Sequence, residues 1–155
     1  MNTKEIRLKD IIRMTRKDLM QYKLHLACYN GKEEPLDVFL RDNSQWLGWN
    51  EFRSGKNDFN REFIFCMIKD YHHQDQWIFG GVLRVVERFP DWKETGRGYR
   101  VEMTEILEEF RGRLIIDFHR YQGMRGRSFR METFFKDMSV HEILDKPYEV
   151  KLIYG

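Results

Sequence analysis

Two long apolar runs, rich in aromatic and β-branched residues, constrain the fold of this chain more than any other feature. They read FIFCMIKD at 63–70 and QWIFGGVLRVVERF at 76–89. Such composition is typical of buried strands. The second run contains Gly80 and Gly81, and glycine inside a strand often marks a bulge, a barrel bend or the close approach of a ligand. We therefore expect a central sheet with an irregularity at this glycine pair.

Shorter segments around these runs predict an α+β domain. Strands are expected in YKLHLACYN (22–30), GYRVEMTEI (98–106), GRLIIDFHR (112–120) and SFRMETFF (128–135). Helices are expected in LKDIIRM (8–14), in a short segment that begins at a capping box of Thr15 and Asp18, and in PLDVFLRD (35–42). LEEF (107–110) is expected to be a brief helix or a turn, and SVHEILDKP (139–147) a final helical turn. Strands separated by turns and led by helices predict a small curved mixed sheet or a partly closed β-barrel.

Length and composition indicate one globular domain spanning residues 1–155. The hydrophobic fraction is 41% and the charged fraction 34%, which exclude a disordered chain. Cys28 and Cys66 lack metal-ligand spacing and are expected to be free thiols. The sequence shows neither a membrane-spanning run nor a signal-peptide pattern, so we expect a cytoplasmic protein without a membrane partner.

The net charge of +2 hides a strongly uneven distribution. Residues 1–23 carry seven bases and three acids, residues 24–110 carry eleven and sixteen, residues 111–130 carry six and one, and residues 131–155 carry three and five. Two basic blocks thus flank an acidic middle. Such asymmetry is typical of proteins that bind phosphate polymers.

The candidate nucleic-acid contacts come from these two basic blocks. Arginine predominates in the second, and its planar guanidinium suits bidentate contact with phosphate or guanine. If 111–113 were strand, Arg111 and Arg113 would share a face and could follow one DNA backbone. The predicted contacts are Arg111, Arg113, Arg120, Arg125, Arg127 and Arg130, with Arg13, Arg16 and Lys17 from the first block.

Aromatic residues make up 15% of the chain and suggest a second element of recognition. Most aromatic side chains fill cores, but some wall pockets that stack a single base. The candidates for such a base-stacking pocket are Trp46, Trp49, Tyr71, Trp77 and Phe79. Trp77 and Phe79 are expected to share one face of a strand.

Patterns for catalysis and metal binding are weak, so we expect no catalytic residue, no metal and no cofactor. His72 and His73 are adjacent, and adjacent strand residues point to opposite faces. Glu149 and Lys151 form an E-x-K pair of the kind found in metal-dependent nucleases, but the partner aspartate on a neighbouring strand is not evident.

The order of several segments resembles the N-terminal region that precedes GIY-YIG nuclease domains in some bacterial and phage-linked proteins. The resemblance rests on PLDVFLRD, QWLGWNEF, QWIFGGVLRV and GRLIIDFHR, and it covers nearly the whole chain. It implies a targeting module that accompanies a downstream nuclease domain. The GIY…YIG motif, its arginine and its metal-binding glutamate are absent from the sequence, so no catalytic residue is carried over. The pattern is also similar, more distantly, to PUA-like and EVE-like barrels that hold a modified base.

The sequence therefore predicts a module that binds duplex DNA, reads a modified or flipped base and serves a nuclease in restriction or phage defence. Two alternatives stay open. One is a metal-dependent nuclease whose site is unrecognised, with Glu149 and Lys151 as its candidates. The other is a protein-interaction subunit of a phage or defence system, in which the basic segment meets an acidic partner.

Overall fold

The computed structural model describes residues 6–51, 61–73, 76–118 and 129–148. The strands are β1 (Ile6–Arg7), β2 (Tyr22–Ala27), β3 (Phe63–Lys69), β4 (Gln76–Arg88), β5 (Tyr99–Met103), β6 (Leu114–Phe118), β7 (Phe129–Arg130) and β8 (Met138–Ile143). The helices are α1 (Leu8–Ile11), α2 (Arg16–Leu19), α3 (Pro35–Arg41), α4 (Asn43–Trp49), α5 (Trp92–Thr95) and α6 (Met131–Phe134). Short 3₁₀ turns occupy Glu108–Phe110 and Phe135–Asp137.

The strands form one mixed sheet in the order β1-β8-β6-β4-β3-β2-β7. β2 and β3 are parallel, and the other pairs are antiparallel. The long strand β4 pairs with β6 through residues 76–78 and with β5 through residues 83–88. Within the described ranges the end strands β1 and β7 do not pair, so the sheet is not closed into a barrel. The predicted α+β class and mixed sheet are confirmed.

Helices cover both faces of the sheet, and each face has its own hydrophobic core. The first core joins α1, α2 and α6 to the sheet through residues that include Leu8, Leu19, Met131, Leu24, Phe65 and Phe79. The second core joins α3 and α4 to the opposite face through residues that include Leu36, Val38, Trp46, Ile64, Ile68 and Leu83. The central strands are apolar on both faces because both faces are buried.

The expected irregularity at Gly80 and Gly81 is a β-bulge. Cys66 pairs with Gly81 and Met67 pairs with Phe79, which leaves Gly80 without a partner in the β3–β4 ladder. Gly81 has a φ of +105°, a conformation that L side chains rarely adopt. The bulge shifts the alternation of side chains along β4. As a result, Phe79 and Val82 both lie in the first core although they are three residues apart.

Most predicted elements are confirmed, and three need correction. Thr15 Oγ1 accepts from the Asp18 N–H at 3.1 Å and completes the capping box of α2. The predicted helix in 139–147 is wrong, because 138–143 is strand β8, held between β6 and β1. The helix expected over 8–14 ends at Ile11. The strand expected over 128–135 covers only Phe129–Arg130 before α6 begins.

Candidate functional site

Arg111 and Arg113 are engaged inside the fold rather than aligned along a strand. Both precede β6 and lie in the turn that leads into it. Arg111 Nη2 donates to Asn43 Oδ1 at 2.8 Å, and its guanidinium carbon lies 5.0 Å from the centroid of the Phe39 ring. Burial lowers the pKa of Arg111. This side chain links the α3–α4 layer to the sheet.

Arg113 is committed to backbone carbonyls. Its Nε donates to the Leu144 oxygen at 2.8 Å and its Nη1 donates to the Glu109 oxygen at 2.7 Å. These bonds tie the end of β8 to the turn before β6. The expectation that Arg111 and Arg113 share one strand face is therefore wrong, because neither residue is in a strand. Both guanidinium groups bond within the fold, and contact of these residues with phosphate stays a prediction.

Three of the five aromatic candidates belong to the hydrophobic cores. Trp46, Trp77 and Phe79 are each 0% exposed, so none of their rings presents a face to a ligand. Trp77 and Phe79 share one face of β4, as predicted, and that face packs into the first core. Trp46 lies in the second core, on the other side of the sheet. The sheet thus separates these rings, and together they cannot wall one pocket.

The other two aromatic candidates, Tyr71 and Trp49, reach the surface. Tyr71 is 44% exposed, and its hydroxyl oxygen accepts a hydrogen bond from the Tyr29 N–H at 2.6 Å. Trp49 is half-buried at the end of α4 and lines a pocket of about 500 Å³. Of the five aromatic candidates, Trp49 is the one that lines this pocket.

The Trp49 pocket lies between α3, α4 and the connection from α5 to β5. We define it by its lining residues, Asn30, Glu33, Val38, Gln45, Gly48, Trp49, Glu51, Thr95 and Arg97. Glu51 is 8% exposed, and its two carboxylate oxygens accept from Arg97 Nη2 and from the Val101 N–H, both at 2.9 Å. This ion pair joins the buried Glu51 to the half-exposed Arg97 side chain and forms one wall of the pocket.

Sequence reasoning missed Glu51 and Arg97. They are 46 residues apart and join only through the fold. The sole local signal was the glutamate that directly follows QWLGWN, and a single acidic residue in a loop is not distinctive.

A group of exposed basic side chains lies near the β7 edge of the sheet. Arg16 and Lys17 are exposed on α2, which packs against α6, and Arg130 is the exposed residue immediately before α6. None of these three side chains forms a hydrogen bond or ion pair with a described residue. We call this set, Arg16, Lys17 and Arg130, the basic edge. It unites members of the two basic blocks that are far apart in sequence.

Arg13 lies beside a second surface pocket, of about 520 Å³, that Lys9, Asp10, Met14, Thr15 and Phe135 also line. It sits in the connection between α1 and α2, close in sequence to the basic edge. The remaining predicted contacts, Arg120, Arg125 and Arg127, lie outside the described residues, as do Glu149 and Lys151.

A buried polar cluster under α4 joins His25, Asn50 and Cys66, and sequence reasoning missed this cluster too. Asn50 Oδ1 accepts from His25 Nδ1 and, at 3.4 Å, from the Cys66 thiol, while Asn50 Nδ2 donates to the Trp46 oxygen at 2.7 Å. Burial lowers the pKa of His25 to about 4 and raises the pKa of Cys66. At neutral pH the imidazole and the thiol are both neutral, and the hydrogen bonds of Asn50 join β2 and β3 to α4.

Metal-binding geometry is not found among the described residues. His73 Nδ1 instead pairs with Asp70 Oδ2 at 2.7 Å, and the His72 N–H donates to Asp70 Oδ1 at 2.9 Å, which closes the turn between β3 and β4. Within the same part of the chain, every helix is too short or too polar to cross a bilayer.

Comparison of the chain with protein-family models, with curated proteins and with solved structures gives no match. The resemblance to the region ahead of GIY-YIG nuclease domains stays a hypothesis. The geometry of the basic edge and of the Trp49 pocket therefore carries the functional argument.

Proposed function

We propose that this chain is a DNA-binding module and that its basic edge contacts the phosphate backbone of duplex DNA. The observation that carries the proposal is the exposure of the Arg16, Lys17 and Arg130 side chains near one edge of the sheet. Lysine and arginine side chains that approach phosphates release condensed counterions, which supplies most of the affinity of sequence-independent binding.

The contrast with other arginines supports the proposal. At other exposed positions among the described residues, arginines are matched by glutamates in the pairs Arg41–Glu33, Arg84–Glu102, Arg97–Glu51 and Arg100–Glu87. A charge already paired within the protein offers less to a polyanion. The exposed side chains of the basic edge are therefore better placed to contact a polyanion than these paired arginines are.

Three more arginines precede β7 in the sequence. The segment 119–128 contains Arg120, Arg125 and Arg127 and leads directly into β7. These residues stay predicted phosphate contacts. In this proposal the chain binds and positions DNA, and the hydrolytic step belongs to an associated nuclease domain, as the resemblance to the region before GIY-YIG domains implies.

A salt titration of DNA binding tests the proposal. The test variant combines Arg16→Ala, Lys17→Ala and Arg130→Ala, and the control combines Arg84→Ala, Lys93→Ala and Arg100→Ala. Both variants remove the same number of exposed positive charges. Fluorescence anisotropy with a labelled duplex gives the association constant K at each salt concentration. Each lost phosphate contact lowers the slope of log K against log salt by about 0.9, so the test variant is expected to lose about 2 to 3 units of slope.

The control variant separates a local contact from the general effect of net charge. We expect it to keep nearly the full slope, because Arg84 and Arg100 are paired with glutamates. Equal slopes for the two variants would show that the basic edge is not the contact surface. Negligible binding of the unaltered protein at low salt would refute the DNA-binding proposal itself.

A further inference from the structure

We propose that the Trp49 pocket binds a single nucleobase that carries adjacent hydrogen-bond acceptors, with guanine and cytosine preferred over adenine. This inference rests on the proposed function only for the source of the base, a DNA strand. Recognition of the base itself is argued from the pocket.

The size and lining of the pocket suit a planar ring. A volume of about 500 Å³ falls within the range of about 300 to 1,000 Å³ that is common for small-molecule sites. The half-buried indole of Trp49 provides an aromatic surface, and Val38 adds an apolar contact. Stacking on an aromatic side chain is how proteins commonly hold a base removed from its helix.

The acidic groups of the pocket are largely satisfied by the protein. Both oxygens of Glu51 accept hydrogen bonds, from Arg97 and from the Val101 N–H. Glu33 Oε2 accepts from Arg41 Nη2 at 2.7 Å. The pocket therefore does not present a set of open carboxylates, which argues against a metal ion as its ligand.

The polar groups that remain open are mainly donors. Asn30 Oδ1 already accepts from the N–H groups of Lys32 and Glu33, at 2.9 and 2.8 Å, which leaves the Asn30 amide hydrogens available. Gln45 Oε1 accepts from Arg41 Nη2 at 2.5 Å, and this bond orients the Gln45 NH₂ group away from that contact.

Arg97 adds a cationic donor to these amides. Its guanidinium bonds Glu51 through Nη2, and its remaining N–H groups have no acceptor among the described residues. The side chain lies against Phe89, with 5.1 Å between the guanidinium carbon and the ring centroid, so this contact and the bond to Glu51 both orient it.

The donor set selects among bases. Guanine presents O6 and N7 as adjacent acceptors, and cytosine presents O2 and N3, so either can receive two hydrogen bonds from neighbouring donors. Adenine has no carbonyl oxygen, and its exocyclic amine would meet the donors of Gln45 and Arg97. We therefore expect guanine or cytosine to bind most tightly and adenine most weakly.

The test measures binding of phosphate-free nucleosides, which isolates the pocket from the basic edge. Saturation-transfer NMR with guanosine, cytidine and adenosine gives the order of affinity. Gln45→Glu replaces the donor NH₂ by an acceptor oxygen while keeping a partner for Arg41, and Trp49→Leu removes the aromatic surface. We expect each to weaken guanosine or cytidine binding by about tenfold or more. Gln21→Glu, an exposed substitution outside the pocket, serves as the matched control and leaves binding unchanged.

A second arm identifies the source of the base. Affinity is compared between a duplex with one mismatched guanine and the same duplex with an abasic site at that position, and between plain, cytosine-modified and single-stranded DNA. Tighter binding of the guanine duplex, abolished by Gln45→Glu, supports reading of a flipped base. Nucleoside binding without this difference supports a site for free nucleosides and removes the DNA strand as the source.

The two proposals fail separately. Loss of the basic edge is expected to weaken DNA binding and lower its salt slope, and to leave nucleoside binding intact. The pocket inference is overturned if the unaltered protein shows neither nucleoside binding nor a difference between the guanine and abasic duplexes. It is also overturned if Gln45→Glu and Trp49→Leu bind nucleosides as well as Gln21→Glu does.

Discussion

The packing around Gly80 gives the sharpest test of the fold. A Cβ atom added at Gly80 would lie 2.8 Å from Trp46 Cζ2 and 3.0 Å from Ile68 Cδ1. The indole is rigid and 0% exposed, so it cannot rotate into solvent. Its Nε1 also donates to the Gly80 oxygen at 3.2 Å, and a shift of the ring would weaken that bond.

We therefore expect Gly80→Ala to destabilise the protein by about 2 to 3 kcal/mol. Overpacking a well-packed core costs about 1 to 3 kcal/mol, and a hydrogen bond contributes about 1 kcal/mol. For a chain of this length such a change lowers Tm by roughly 5 to 10 °C. The assay is urea unfolding followed by circular dichroism, with the free energy of unfolding extrapolated to water.

Gly48→Ala is the matched control. It makes the same chemical change within helix α4, where an added Cβ meets no atom within 4 Å. Because alanine is the better helix former, this variant is expected to gain about 0.5 to 1 kcal/mol. A loss of stability at Gly80→Ala no larger than the effect at Gly48→Ala would refute the reasoning.

A double-mutant cycle tests whether Trp46 is the cause. Trp46→Phe removes the part of the indole that holds Cζ2, so Gly80→Ala should cost less in that background than in the unaltered protein. The coupling free energy is expected to be about 1 kcal/mol or more. Additive effects would assign the cost to Ile68 or to the backbone of the bulge.

Three further predictions concern stability. Burial lowers the pKa of His25 to about 4, so the unfolded chain takes up a proton at higher pH than the folded chain does. The free energy of unfolding should therefore fall by up to about 3 kcal/mol as the pH drops from about 6.5 to 4. In a pH series of urea unfolding curves, His25→Gln should flatten this part of the pH dependence. Glu132→Gln should lower the free energy of unfolding by about 2 kcal/mol, because Glu132 accepts two hydrogen bonds from Arg61, at 2.6 and 2.7 Å, in a largely buried pair. An unchanged urea midpoint would show that the pair does not stabilise the fold. Gly96→Ala should cost about 1 kcal/mol, because Gly96 ends α5 with a φ of +77°, and an equal or higher Tm would contradict this.

Elements whose burial is continuous along the chain could be predicted from the sequence. β3 and β4 are apolar on both faces and were found by composition alone. Helix α3 was marked by Pro35 in its first turn. β8 could not be predicted, because only its first half is buried and its exposed second half gives no strand alternation. Pairing with β6 and β1 decides its conformation, and that information lies elsewhere in the chain.

The aromatic candidates show that the site, too, depends on contacts that lie elsewhere in the chain. Trp46 and Trp49 both lie in QWLGW, and the sequence gives no reason to separate them. In helix α4 they are three residues apart, and the bulge at Gly80, 34 residues from Trp46, admits one indole to the core. Trp49 is left at the surface, where Arg97 and Gln45 complete the pocket. Which tryptophan is buried thus depends on contacts with a strand that is distant in sequence, and QWLGW alone does not show them.

Charge in the sequence and charge available to a ligand are likewise different quantities. Arg111 and Arg113 belong to the most basic block, yet their guanidinium groups bond Asn43 and backbone carbonyls. Arg130, from the same block, is exposed and lies near Arg16 of the first block, because α2 packs against α6. A basic surface arises where the fold brings unpaired charges together, and a dense run of arginines need not form one. The salt slope of the basic-edge variant measures this difference directly, since it counts only the charges that reach phosphate.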